Sequence, residues 1–198
     1  GNQKALAVSR KNLDAALVQK AIRSGVDFLS DTRCINTDEN PNQITLRVRA
    51  QSIEHNITSD CVIACDGLGS TLAETAGLSV PTQKKRQKYI GTSLVTQPMD
   101  LPKAPTQHIL MTVGKQGYTG LVQVENTQWN IASAIRVKSL QRGKSPSIQA
   151  MSILKESGIP FPETIDSDAW TISKPGLYRK VSQPSTARLF CVGDSAGY

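Results

Sequence analysis

The chain has 198 residues, 38% hydrophobic and 20% charged, with 23 basic against 16 acidic residues and a net charge of +7. That profile fits a globular protein able to bury a core. The aromatic content of 5% and the scattered basic residues argue against a base-stacking nucleic-acid surface. The densest basic run, "KKRQK" at 84–88, reads as a solvated loop.

No apolar stretch nears the roughly eighteen residues a membrane span needs, so no integral membrane segment is expected. Cys34, Cys61, Cys65 and Cys191 match no metal-ligand spacing, and no metal site is expected. Cys65 and Cys191 lie in apolar, strand-like runs, where a free thiol behaves as a small hydrophobe. Together with the lack of a signal-peptide pattern, this gives a reduced, cytoplasmic protein as the expectation.

Along the chain, a short apolar run breaks at Ser9-Arg10, and helical spacing follows with Leu13, Ala16, Leu17 and Ala21 on one face. Asn12 is the expected N-cap and Gly25 the expected stop. Val26 to Leu29 reads as a short strand. "TRCINTD" and "QITLRVRA" flank the turn-rich "ENPNQ" and predict a hairpin. "ITSDCVIACDGLGSTLAETAGLS" predicts a strand, a glycine-bearing turn and a short helix from about Ser70 that ends at Gly77.

The middle of the chain changes character. "KYIGTSLVTQ", "TQHILMTVG", "GYTGLVQVE" and "QWNIASAIRV" are strand-like runs with no long helix between them, which predicts an antiparallel meander. "SPSIQAMSILKESG" then predicts a helix with Ile148, Met151, Ile153 and Leu154 apolar and Gly158 at its end. "IPFPETIDSD" reads as a loop and "AWTISK" as a short strand, after which Pro175-Gly176 turns the chain toward a last strand, Leu189 to Val192. The fold class is α/β: residues 1–80 and 176–198 form one piece, interrupted by a β-rich piece at 81–175.

Two strand tips carry the chemistry. "VIACDGLGS" and "LFCVGDSAG" each run from a strand into a Gly/Asp pair and small residues. In an open parallel sheet, ligands bind beyond the carboxyl ends of the strands. Glycine there lets a ligand approach the backbone, an aspartate accepts from sugar or ribityl hydroxyls, and a following helix start offers N–H groups to phosphate. A lone Asp-Gly is also an ordinary turn dipeptide, so the weight rests on the pair of motifs. Read without further help, the two tips equally fit a non-catalytic module for a nucleotide or sugar phosphate. His55 and His108, the only histidines, read as structural or solvated rather than as general bases.

Three segments resemble the superfamily of flavoproteins that joins aromatic-ring hydroxylases (flavin monooxygenases), geranylgeranyl reductases and flavin halogenases. "SRKNLDAALVQKA" is similar to its R-x-x-L/F-D-x-x-L segment, "CDGLGS" to its DG motif and "RLFCVGDSAGY" to its GD motif. "GDSAGY" and the stretch "GYTGLVQVENTQWNIASAI" look closer to the geranylgeranyl reductase branch.

The resemblance implies a partial FAD-binding Rossmann-like domain interrupted by a mainly antiparallel β-sheet substrate domain. It implies that Arg10 reaches the FAD near its ribose or pyrophosphate from a strand–helix junction. Asp194 would accept from the ribityl chain, with Gly193, Ser195, Ala196 and Gly197 giving it room. Asp66 and Gly67 would lie where FAD and NAD(P)H, the reductant, are handled. Tyr118 is the candidate substrate-facing aromatic. The reduced flavin would reduce or hydroxylate a hydrophobic small molecule, which leaves the catalytic residues unassigned. No G-x-G-x-x-G turn is present, nor the proline- and glycine-rich loop expected beyond "GDSAGY". The expectation is therefore an internal piece of a longer enzyme, inactive alone and binding FAD weakly or not at all.

Overall fold

Helix α1 covers Arg10–Arg23 and is capped by Ser9, whose hydroxyl accepts the Asn12 N–H at 3.3 Å. The cap thus falls three residues before the expected Asn12, because the Ser9 side chain already satisfies a first-turn donor. Gly25 follows the last turn at φ +91°, as a helix stop requires. Leu13, Leu17 and Ile22 are exposed, and α1 buries no residue among those described. The computed structural model describes residues 6–80, 89–96, 108–140, 145–159, 169–173 and 180–197. The basic run at 84–88, most of the loop at 159–168 and the turn at Pro175-Gly176 lie outside the described residues.

Two compact units emerge, one of Gly1–Val26 with Lys88–Pro175 and one of Asp27–Gln87 with Gly176–Tyr198. The second contains β1 (Thr32–Glu39), β2 (Ile44–Ala50) and β3 (Ile53–Ser59), an antiparallel sheet in the order β1-β2-β3. The expected hairpin is β1–β2. Strand β3 was not expected, since its "IEHNITS" is mostly polar, and it is exposed throughout, Ile53 and Ile57 included. It forms because Gln51 and Ser52, at φ +48° and +81°, make a two-residue turn without the glycine that would advertise it. Val26 to Leu29 form no strand: Val26, Phe28 and Leu29 are exposed and find no ladder partner among the described residues.

Strand β4 (Val62–Ala64) leads to helix α2 (Thr71–Thr75), which Ser70 caps by accepting the Ala73 N–H at 3.0 Å. The chain returns to this unit as β10 (Leu189–Cys191), parallel to β4 with Leu189 opposite Val62 and Cys191 opposite Ala64. Ile44, Val62, Ala64, Leu72, Ala73, Leu78, Leu189 and Cys191 form its core. Arg188 ties the preceding turns to β10 by donating to the carbonyls of Asp60 and Pro41.

The first unit contains β5 (Tyr89–Thr96), β6 (Leu110–Gly114), β7 (Gly117–Gln123), β8 (Trp129–Arg136) and β9 (Thr171–Ile172), antiparallel in the order β6-β7-β8-β5-β9. A plain meander would place β5 beside β6. Instead β5 pairs with β8, so only β6 to β8 follow the expected sequential order. At the start of β7, a Cβ on Gly117 would sit 2.1 Å from the Ala134 carbonyl oxygen, so only glycine permits this β7–β8 approach.

Helix α3 (Pro146–Glu156) covers one face of the sheet. Ala150, Ile153 and Leu154 join Ile90, Leu94, Leu121, Trp129, Ile131, Ile135 and Trp170 in the core, while Ile148, apolar like them, is exposed. Within this core Thr119 and Ser133 share a hydroxyl hydrogen bond of 2.9 Å. The architecture is therefore α/β with mostly antiparallel sheets, as the sequence led us to expect.

Candidate functional site

The parallel pair β4–β10 brings the two strand tips side by side. The ladder continues past the strands: the Val192 N–H donates to the Ala64 carbonyl at 2.9 Å. Cys65-Asp66-Gly67 and Gly193-Asp194 thus leave one sheet edge together, although 131 residues separate the Ala64 and Ser195 that join them. Gly193 has φ +64° and Gly67 φ +75°, conformations that favour glycine, and the space where each Cβ would stand is open.

The two aspartates differ. Asp66 is exposed, yet one of its oxygens accepts the Leu72 N–H at 3.1 Å, so it helps cap α2 across the glycine turn. Asp194 is exposed and its carboxylate has no partner among the described residues. A carboxylate held at the tip of a strand with one buried face, beside a left-handed glycine, is free to accept hydroxyl donors.

Ser195 serves the scaffold. It is fully buried, its Oγ accepts the Val192 N–H at 3.2 Å and lies within hydrogen-bond reach of the Ala64 and Val192 carbonyls. Its hydroxyl staples one tip to the other. Gly193–Ala196 forms a single 3-10 turn, with Ala196 half-buried and Gly197 exposed at φ +136°. No pattern in the local sequence marks that staple, since it closes between distant segments.

Arg10 and Tyr118 belong to the other unit. Arg10 begins α1, but the described residues before it, 6–9, are irregular, so it does not stand at a strand–helix junction. Its guanidinium is exposed and pairs with Asp14 at 3.1 Å one helical turn on, which raises its pKa, chiefly through that hydrogen bond. Tyr118 lies on the sheet face opposite α3, between Val113 and Ala134, and is exposed together with Met111 and Val113.

His55 is exposed in β3 and His108 is exposed just before β6, not within a strand. Cys191 is buried as expected, whereas Cys65 is exposed at the end of β4 rather than packed as a hydrophobe. Burial pushes the Cys34 thiol up. Among the described residues, no group of His, Cys, Asp or Glu is placed to hold a metal ion, and no helix is long and apolar enough to cross a membrane.

A family model described as FAD binding domain matches residues 1–197. The chain belongs to the FAD binding domain family. No curated protein matches it by sequence. Among solved structures, a flavoprotein/dehydrogenase from Cytophaga hutchinsonii is 14% identical, with a TM-score of 0.78 over 98% of this chain and 48% of its own. The halogenase PltM, in complex with phloroglucinol and FAD, is 15% identical, with a TM-score of 0.71 over 96% of this chain and 41% of its own. The anhydrotetracycline hydroxylase OxyS from Streptomyces rimosus is 15% identical, with a TM-score of 0.65 over 96% of this chain and 38% of its own. At such identities the likeness is one of fold. This FAD binding domain chain spans less than half the length of each of the three.

Proposed function

We propose that the chain contributes the ribityl-facing edge of an FAD site in an FAD-dependent oxidoreductase. Residues 1–80 and 176–198 supply the flavin-binding part and 81–175 the substrate-binding part. The observation that carries this reading is the pairing of β4 with β10, which sets an unpartnered Asp194 carboxylate beside Gly193 and Gly67 at one strand edge. That fits the group: the ribityl chain is a row of hydroxyl donors, and glycine at φ +64° with open space above it lets such a chain approach the backbone.

In this reading, Asp194 accepts from ribityl hydroxyls while Gly193, Ala196 and Gly197 leave space for them. Ser195 holds the two tips in register. Gly67, at φ +75°, turns the neighbouring tip, and Asp66 fixes the start of α2. Arg10 exchanges its solvent-exposed Asp14 partner for a phosphate or ribose oxygen of FAD. Tyr118, with Met111 and Val113, offers an apolar surface to a hydrophobic organic substrate. When bound, FAD supplies the electron-transfer chemistry, with NAD(P)H as the source of reducing equivalents. The reaction is reduction or hydroxylation of that substrate.

Titration with FAD of the native polypeptide that carries this chain, followed by flavin fluorescence, tests the reading. Asp194→Asn is expected to weaken binding by roughly tenfold, as loss of a hydrogen bond to a charged acceptor should. Equal affinity in the variant and the wild type would overturn the assignment of Asp194.

A further inference from the structure

We propose that Glu125 is a positioning residue for Arg10: from the turn between β7 and β8 it fixes the first turn of α1, and thereby the direction in which Arg10 meets FAD. The inference rests on the reading of Arg10 given above. Glu125 stands more than a hundred residues from α1 in the chain, yet its carboxylate collects three donors there. It accepts the Ser9 N–H at 2.9 Å, the Ser9 hydroxyl in a short hydrogen bond, and the Asn12 side-chain amide at 2.6 Å. Those residues bracket Arg10 on both sides.

Two further features separate this arrangement from a chance surface contact. First, Ser9 alone already caps α1 through the Asn12 N–H, so the helix needs no second acceptor to start. The first turn of α1 has no acidic residue of its own, and Glu125 supplies from elsewhere the negative charge that a helix start favours. Second, the turn that presents Glu125 is strained. Asn126 and Thr127 follow at φ +56° and +58°, and Thr is a β-branched residue for which the left-handed region is costly. The Val124 N–H closes the turn on the Gln128 carbonyl at 2.8 Å. A connection alone would relax with glycine at these positions; this one holds a carboxylate against α1. Arg10 is left pointing to solvent, tethered among the described residues only by the exposed Asp14 pair, with its backbone fixed and its guanidinium able to change partner.

The test is a double-mutant cycle in the native polypeptide reconstituted with FAD, reading flavin affinity by fluorescence, flavin midpoint potential, and hydrogen exchange of the α1 amides. Glu125→Ala is expected to weaken FAD binding roughly tenfold, the scale of coupled neighbours. It should speed exchange in the first turn of α1 while leaving α3 protected. Arg10→Ala should weaken binding at least as much, and the double variant should be no weaker than Arg10→Ala alone. Glu125→Gln, which keeps an acceptor for Ser9, should recover most of the affinity. Should Glu125→Ala fail to fold, Asn12→Ala removes a single arm of the contact and runs the same cycle.

Wild-type affinity in Glu125→Ala, with binding lost in Arg10→Ala, would overturn the inference and leave the reading of Arg10 standing. Additive losses in the double variant would also overturn it, since Glu125 would then act independently. An Arg10→Ala variant with unchanged affinity would overturn the reading of Arg10, and this inference with it.

Discussion

The β5–β9 sheet and the β4–β10 pair each bury one face but are held in order by different means. The five-stranded sheet buries one face under α3, with Ile131, Ile135, Ile153 and Leu154 essentially inaccessible. Its other face mixes small residues, among them Gly91, Ser93, Gly120 and Ala132, with the exposed Val95, Met111, Val113 and Tyr118. The parallel pair buries Val62, Ala64, Leu189 and Cys191 on one side, but Ile63, Phe190 and Val192 are exposed on the other, Ile63 at 63%. Parallel strands are ordinarily covered on both faces. The difference teaches that the two regions owe their order to different things: the sheet to a packed helix, the strand pair to one buried face and to polar staples such as Ser195.

Substitutions that empty each core should break this comparison most forcefully. Ile153→Ala under the sheet and Leu189→Ala under the pair each remove a fully buried side chain. Each is expected to cost about 2–5 kcal/mol, measured by urea denaturation. A loss below about 1 kcal/mol in either would mean that its core is not packed as described. Next in size is Ser195→Ala. It removes the buried hydroxyl that joins the tips and should cost about 1–3 kcal/mol, with faster exchange of the Val192 amide. A melting temperature unchanged from wild type would remove the staple from the account.

A smaller, pH-dependent effect separates α1 from both cores. The Ser9 hydroxyl and then the Ser9 N–H hold Glu125 below the ordinary glutamate range. A depressed carboxylate contributes stability above its unfolded value and loses it as pH falls through the folded one. Exchange at the first turn of α1 should therefore quicken on acidification below the ordinary glutamate range, and Glu125→Gln should flatten that dependence. An unchanged profile in the variant would show that another group governs it. Least of all should be felt at the exposed face of the pair: Ile63→Thr should shift stability by no more than about 0.5 kcal/mol. A large loss there would mean that this face is covered in solution.

Much of the architecture is legible because it is local. Alternation marks β2, β5, β7 and β8, and Gly25, Gly77 and Gly158 stop their helices at positive φ. What escaped depends on partners distant in sequence. Strand β3 is mostly polar and owes its place to the register of β2; β5 joins β8 rather than the strand that follows it. Val26 to Leu29 are apolar enough for a strand but lack a neighbour to pair with. The two tips were recognisable as motifs, but not that Asp66 is occupied by α2 while Asp194 is open. The burial of Ser195 and the reach of Glu125 to Ser9 leave no trace in local spacing, since each acts across more than a hundred residues.

The most direct test of the central claim, that the joined tips of β4 and β10 form the flavin-facing edge, is to follow backbone amide shifts in the native polypeptide that carries this chain while titrating FAD. The account predicts that the changes concentrate at Cys65 to Gly67 and at Val192 to Gly197, and that Asp194→Asn moves their titration midpoint to roughly tenfold more FAD. Shifts confined to β1–β3 or α3, or an unchanged midpoint in the variant, would contradict it.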